Sequence, residues 1–138
     1  MNRCVFALLL FVASAPAADW PQWRGLTENG VSAERLPAKP DFTETLWQNK
    51  VGIGFSSVAV AQGRVFTMGH SGAKSGGDET VWCFDAATGK EVWRHTYPAP
   101  LADRFYEGGP GATPTLRGER VFTYSKHGRL HCYEAASG

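Results

Sequence analysis

The chain has 138 residues, which suits a single domain, and it is rich in glycine (16), proline (8) and aromatic residues (8 Phe, 5 Trp and 4 Tyr). This composition favours many short strands joined by tight turns. The charge is balanced, with 14 Lys and Arg against 13 Asp and Glu and a formal net charge of +1. Binding to nucleic acid or to an anionic membrane surface is therefore not expected, because both require a concentrated positive patch.

The first segment has the pattern of an export signal. Residues 2–3 give a short positive start, residues 4–13 are an unbroken apolar stretch, and Ala-Pro-Ala at 15–17 supplies small residues where a signal peptidase cleaves. The apolar stretch is too short to remain as a membrane-spanning helix. We predict a signal peptide over residues 1–17, an N-terminal extension over residues 18–43, no transmembrane segment after cleavage, and a mature protein that is periplasmic or secreted.

Two stretches of the chain repeat one another at a spacing of about fifty residues. Residues 57–67 align with residues 113–123, and residues 83–89 align with residues 132–138. A repeat of this size that is made of strands is typical of a propeller or a repeat array rather than of one closed sheet.

Each copy has the pattern of several short strands, because β-branched and aromatic residues are grouped between turn residues. The first copy predicts four strands, over residues 56–61, 64–69, 80–85 and 90–96. The second copy predicts three strands, over residues 113–116, 119–125 and 129–134. Four antiparallel strands make one propeller blade.

The expected fold class is all-β, a β-propeller of four-stranded antiparallel blades that covers residues 44–138. One blade is complete (residues 56–96) and the next is incomplete (residues 112–138). Residues 44–50 resemble a fourth strand without its blade, and we interpret them as an N-terminal closing strand that completes the last blade of the ring. We expect the two copies to be separate sheets whose aromatic faces stack on one another.

The turn between the third and fourth strands has a recognisable motif. Residues 83–93 read Cys-Phe-Asp-Ala-Ala-Thr-Gly-Lys-Glu-Val-Trp and resemble the pyrroloquinoline-quinone (PQQ) type of repeat, whose pattern is Ala-x-Asp-x-x-Thr-Gly-Lys-x-x-Trp. The residues that we assign to this structural motif are Cys83, Asp85, Thr88, Gly89, Lys90 and Trp93 in the first copy and Cys132, Glu134, Ser137 and Gly138 in the second.

The chain is thus similar to the PQQ-like β-propellers of the quinoprotein alcohol dehydrogenase-like superfamily, and residues 20–25 (Trp-Pro-Gln-Trp-Arg-Gly) resemble the N-terminal segment of exported members. The resemblance implies that the tryptophan packs between neighbouring blades, while the aspartate, threonine and glycine build the turn. Cys83 and Cys132 hold the same position in successive blades. Stacked sheets lie about 10 Å apart, whereas a disulfide requires Cα atoms within about 7 Å. We therefore predict two buried free thiols.

Antiparallel strands place alternate connections on opposite sides of a blade. The loops over residues 70–79 and 98–111 emerge on one side together with residues 52–55, while the turns on the other side are short. Long loops on a rigid scaffold are where binding usually resides, so we expect this face to contact a protein partner or a small-molecule ligand. The candidate contact residues are His70, Lys74, Asp78, Glu79, Arg104, Tyr106, Glu107, Lys126 and His127.

Two functions are compatible with the resemblance. One is a non-catalytic exported scaffold for binding or assembly, and it is the function that we favour. The other is the N-terminal part of a PQQ-dependent alcohol or sugar dehydrogenase, in which case PQQ and calcium are the implied cofactors. No catalytic residue or metal ligand can be assigned from the sequence, which lacks the Cys-x-x-Cys, His-Glu-x-x-His and Gly-x-Ser-x-Gly patterns.

Overall fold

The computed structural model describes residues 18–73, 75–104 and 106–138, and the predicted signal peptide lies outside these ranges. The described residues form strands, turns and loops. Their seven strands are β1 (Ala59–Ala61), β2 (Arg64–His70), β3 (Asp78–Asp85), β4 (Glu91–Pro98), β5 (Thr115–Arg117), β6 (Arg120–Tyr124) and β7 (Leu130–Glu134). Within the described ranges, no helix has the length and apolar character needed to cross a membrane.

The strands form two antiparallel sheets. The first sheet has the order β1-β2-β3-β4 and the second has the order β5-β6-β7. The two copies of the repeat are therefore separate sheets, and the all-β class predicted from the sequence is confirmed. The third and fourth strands are longer than predicted, because cross-strand pairing continues through Glu79 opposite Tyr97 and Asp78 opposite Pro98.

The core lies between the two sheets. On the first sheet, the cross-strand partners Phe66, Cys83 and Trp93 are all buried, because in an antiparallel ladder residues directly opposite one another point to the same face. Val121 of the second sheet belongs to the same buried cluster, and Tyr133 packs against it. Burying a large apolar side chain contributes about 1.5–3 kcal/mol, so this interface is a main source of stability.

The other face of the first sheet is covered by residues 47–54. The indole of Trp47 lies over Gly89 and next to Phe84, and further along the backbone amide and carbonyl of Ile53 pair with those of His70. This segment approaches the sheet so closely that a Cβ atom at Gly69 would overlap the carbonyl oxygen of Val51. Glycine is therefore required at position 69 by the packing of the segment on the sheet.

Residues 44–50, predicted as a closing strand, form no strand in the structure. A strand is defined by hydrogen bonds to a neighbouring strand, and no neighbouring strand lies beside this segment among the described residues. Its tryptophan nevertheless docks as a blade tryptophan does: Trp47 Nε1 donates to the carbonyl of Ala86 (2.9 Å), and Trp93 Nε1 donates to the carbonyl of Ala135 (3.0 Å). Ala86 and Ala135 are equivalent positions of the two repeats.

The cysteine prediction is only partly correct. Both Cys83 and Cys132 are free thiols, and Cys83 is buried, but Cys132 is exposed. The second sheet covers the face of the first sheet that contains Cys83. The equivalent face of the second sheet, which contains Cys132, has no sheet packed on it in the described structure.

The start of the N-terminal extension is part of the fold. Trp20 pairs with Val60 of β1 through two backbone hydrogen bonds (2.6 and 2.9 Å), and the carbonyl of Pro21 accepts from the amide of Leu116 in β5 (2.8 Å). Strands β1 and β5 are where the two sheets approach each other most closely. Residues 20–21 therefore join the edges of both sheets, an arrangement that the sequence did not predict.

Candidate functional site

The strand order places the connections on two opposite faces. The turns over residues 62–63, 86–90 and 118–119 lie on one face. The loops over residues 71–77 and 99–114 and the turn over residues 125–129 lie on the other, which we call the long-loop face. The long-loop face is where the sequence predicted contact residues.

The repeat motif forms the turn between β3 and β4, on the short-turn face. The carboxylate of Asp85 accepts hydrogen bonds from the backbone amide (2.9 Å) and the hydroxyl (2.7 Å) of Thr88. These hydrogen bonds stabilise the charged form and hold the pKa of Asp85 below its usual value. Gly89 has a φ of 70°, in the left-handed region that glycine adopts most easily, and the amide of Lys90 donates to the hydroxyl of Thr88 (3.3 Å).

The tryptophan of the first motif copy packs against the second copy. The Trp93 indole lies beside Tyr133, with 5.8 Å between ring centroids, and a Cβ atom at Gly138 would touch it. Glu134 forms an ion pair with Arg120 (3.0 Å), and its carbonyl accepts from the amide of Gly138 (2.8 Å). Ser137 is exposed in the same turn. These motif residues therefore shape the turn and the contact between sheets, away from the long-loop face.

Two of the candidate contact residues, His70 and Glu79, are buried, with 2% and 1% of their surface exposed. The ring nitrogen Nδ1 of His70 accepts from the amide of Gly72 (2.9 Å), so Nε2 is the protonated nitrogen and donates to the carbonyl of Ala99 (2.7 Å). Glu79 accepts a hydrogen bond from the hydroxyl of Tyr97 (2.8 Å). Burial and the neighbouring carboxylate raise the pKa of Tyr97, which therefore stays protonated and continues to donate.

These contacts change the interpretation of His70 and Glu79. Both side chains were expected to present polar groups at the loop face, but each already has its partners inside the protein. His70 contacts the first residues of both long loops, at Gly72 and Ala99, and Glu79 contacts Tyr97 near the end of β4. Both residues therefore hold the starts of the loops on the first sheet. Buried polar groups that are fully hydrogen-bonded rigidify a structure, so their role is to position the loops.

The long loop after β4 is also tied to the second sheet. Carbonyl groups of this loop and of Pro98, the last residue of β4, accept hydrogen bonds from three side chains of the turn between β6 and β7. The pairs are Lys126 with Ala102 (3.5 Å), His127 with Pro100 (2.7 Å) and Arg129 with Pro98 (3.0 Å). The loop of one blade and the turn of the next are thereby joined into one surface.

Exposed aromatic side chains cluster on this surface. Tyr106, 46% exposed, meets Phe55, 54% exposed, edge to face with 5.1 Å between ring centroids. The ammonium group of Lys126 lies 3.7 Å from the centroid of the Tyr106 ring, within the range of a cation–π interaction. Tyr124 is exposed at the side of an open groove of about 250 Å³ that Lys126 also lines. We call Phe55, Tyr106, Tyr124 and Lys126 the loop-face patch.

The remaining candidates lie elsewhere on the same face or outside the described residues. Asp78 begins β3, and its amide donates to the hydroxyl of Ser71 (3.1 Å). Arg104 and Glu107 are exposed in the long loop. Lys74 lies outside the described residues. The structure thus brings Tyr106 and Lys126 together, and it separates them from the buried pair His70 and Glu79.

Sequence reasoning placed residues 52–55 on this face but did not select Phe55, Tyr97 or Tyr124 as candidate contact residues. Tyr97 lies four positions after Trp93 on the same strand and therefore on the same face, which was a signal that it would face the second sheet. Phe55 follows two glycines in a segment without strand pattern, and only the three-dimensional packing places it beside Tyr106.

The described residues provide no cluster of acidic side chains that fits a calcium site. Calcium is bound in proteins by six to eight oxygen ligands. In residues 18–73, 75–104 and 106–138, no three side chains among His, Cys, Asp and Glu come together in a way that could hold a metal ion. The buried carboxylate of Glu79 is engaged by Tyr97, and Asp85 is engaged by Thr88. No catalytic step is assigned to these residues.

Part of the chain matches a known protein family. Residues 77–138 match a PQQ-type repeat model described as outer membrane protein assembly factor BamB. A search of curated protein sequences found no significant match. The matched range covers β3 and β4 of the first sheet, the long loop and the whole second sheet.

Proposed function

We propose that this chain, whose residues 77–138 match a PQQ-type repeat model and whose strands form two antiparallel sheets, is a non-catalytic exported scaffold that binds a protein partner through its long-loop face. The observation that carries the proposal is the loop-face patch, in which three exposed aromatic rings and a lysine are held on a surface shared by two blades. The family description supports this reading, because an assembly factor acts by binding other proteins. The pattern of the first seventeen residues supports export.

A rigid surface favours binding, because less conformational entropy is lost when a partner docks. Hydrogen bonds from Lys126 and His127 hold the long loop on the second sheet, and Arg129 holds Pro98 immediately before it. His70 holds the first residue of the loop, Ala99, on the first sheet. The loop is therefore organised before any partner arrives. Aromatic residues are enriched in the centres of protein interfaces, since they bury a large area with few rotatable bonds.

A photo-crosslinking experiment tests the partner. The residue p-benzoylphenylalanine replaces Tyr106 in the full chain, and the same residue replaces Val92, which is exposed on β4, as the matched control. We expect light to produce one adduct of defined mass at position 106, identified by mass spectrometry, and none at position 92. Adding Lys126→Ala and Phe55→Ala should reduce the yield of that adduct several-fold. An equal yield at both positions would remove the support for this face.

The dehydrogenase alternative has its own test. The full chain is incubated with PQQ and calcium, and the oxidation of primary alcohols and aldose sugars is followed with an artificial electron-acceptor dye. We expect no oxidation above the rate of free PQQ. Turnover that depends on both the protein and PQQ would contradict the scaffold and favour the quinoprotein enzyme.

A further inference from the structure

A second candidate site lies beside the segment that joins the two sheets. After Pro21 the chain turns away from β1 and β5 and forms a compact loop over residues 22–30. The grooves along this loop reach Ser57, Val58 and Thr113, which precede β1 and β5, so the loop stands at the long-loop end of the inner strands. It is separate from the loop-face patch, and no part of the proposed function depends on it.

The loop is rigid because one buried side chain organises it. Gln22 donates through its amide nitrogen to the carbonyl of Gly25 (3.1 Å) and to the carboxylate of Glu28 (3.1 Å), and its oxygen accepts from the guanidinium of Arg117. The amide of Gly30 closes the loop on the carbonyl of Arg24 (2.9 Å). These bonds hold the loop in place from inside.

The same bonds keep two residues in an unfavourable backbone conformation. Arg24 and Glu28 have φ angles of 62° and 59°, which residues with a Cβ atom adopt at a cost of about 1–3 kcal/mol. Residues strained in this way cluster at ligand-binding and switch sites, although the turn between β1 and β2 also contains one, Gln62. Here the two strained residues line the same groove as Trp23.

Trp23 is the one aromatic residue of the loop over residues 22–30, and it is open to solvent. Its side chain is 63% exposed, although Gln22 before it is buried and Trp20 is partly buried. Two open grooves of about 380 and 190 Å³ border it. The larger groove is also lined by Gln22, Arg24, Glu28 and Thr115. An apolar ring therefore lies beside both hydrogen-bond donors and hydrogen-bond acceptors.

We propose that the loop over residues 22–30 binds the sugar rings of an oligosaccharide, with the ring face on Trp23 and the hydroxyl groups on Arg24, Glu28 and Thr115. One face of a sugar ring consists of C–H groups, which match the electron-rich face of an indole. Its edge consists of hydroxyl groups that both donate and accept, as the guanidinium, the carboxylate and the threonine hydroxyl require. The guanidinium of Arg117 lies 3.8 Å from the carboxylate of Glu28, and Arg24 adds a second positive charge beside the same groove, so the site accepts acidic as well as neutral sugars.

The test is a titration of the full chain with cellohexaose, xylohexaose and trigalacturonic acid, followed by calorimetry and by the NMR signal of the Trp23 indole N–H. We expect at least one of them to bind with a Kd of about 1 mM or below and to shift that signal. Trp23→Ala should weaken binding by at least about tenfold, and Trp23→Phe should retain part of it, because phenylalanine keeps an aromatic face. Leu26→Ala is the matched control and should leave binding unchanged, since Leu26 is exposed in the same loop but lines neither groove.

Three results would overturn the site. The first is the absence of binding by all three sugars, and the second is binding by Trp23→Ala at the wild-type affinity. The third is fluorescence of Trp23 that acrylamide does not quench in the full chain, which would mean that a protein contact covers the indole. Because Trp23 is exposed, its variants should keep the melting temperature of the wild-type chain, and this measurement verifies that a loss of binding is not a loss of folding. Photo-crosslinking at Tyr106 is unaffected by any of these outcomes, so the two proposals fail independently.

Discussion

Cys83 and Cys132 occupy the same position of two consecutive sheets, yet one is buried and the other is exposed. The first sheet has the second sheet on one face and residues 47–54 on the other. The second sheet has the first sheet on one face, and its face with Cys132 is open in the described structure. Cysteines at the same motif position therefore differ in solvent exposure, because a neighbouring sheet covers only one of them. Trp93 of β4 holds that covering sheet, the second sheet, in place.

The largest effect should come from removing that tryptophan. Trp93→Ala deletes a buried indole between the sheets and leaves the carbonyl of Ala135 without its donor. We expect a loss of about 3–5 kcal/mol in the free energy of unfolding, measured by urea denaturation. Val92→Ala, at the neighbouring and exposed position, should change it by less than about 0.5 kcal/mol. Similar losses for both variants would show that the sheets do not depend on this contact.

The packing of residues 47–54 on the first sheet should be sensitive to a methyl group added at position 69. In Gly69→Ala the new Cβ atom overlaps the carbonyl of Val51, so residues 51–53 must move away from β2. We expect a loss of about 1–3 kcal/mol in urea denaturation, with faster amide exchange at Ile53. Gly111→Ala is the control, because a Cβ atom there meets nothing within 4 Å. Equal stability of the two variants would mean that the segment does not lie against β2.

A smaller effect should appear at alkaline pH. Burial raises the pKa of Cys83 from 9.0 to about 11, although Arg64 nearby opposes the shift. A pKa that is higher in the folded state adds stability that is complete below pH 9 and is lost as the pH rises from 9 toward 11. Burial also raises the pKa values of Tyr97 and Tyr133, so wild type is compared with Cys83→Ala to isolate the thiol. The variant should lose less stability over this interval, and an identical loss would argue against a buried thiol.

Much of the fold could be predicted because its signals are local. The strands follow from runs of β-branched and aromatic residues, and the motif turn follows from an aspartate, a threonine and a glycine within five positions. The separation into two sheets follows from the repeat, since equivalent residues form equivalent strands. These inferences needed no knowledge of which parts of the chain meet in space.

The features that escaped prediction depend on distant contacts. His70 and Glu79 belong to the same predicted loop region, but cross-strand pairing extends β2 and β3 far enough to bury both. The docking of Trp20 and Pro21 on β1 and β5 joins segments that are separated by up to 95 residues, as in the contact between Gln22 and Arg117. Burial and edge pairing of this kind are decided by tertiary packing, which residue types alone do not specify.

The central claim is that the second sheet covers the aromatic face of the first, and native-state thiol labelling tests it most directly. The full chain is treated with iodoacetamide at pH 8, and the modification of each cysteine is followed by peptide mass spectrometry. We expect Cys132 to be modified rapidly and Cys83 to remain unmodified until the protein is unfolded in urea. Trp93→Ala should make Cys83 reactive without urea. Modification of Cys83 in the native wild type at the rate of Cys132 would contradict the stacking of the two sheets.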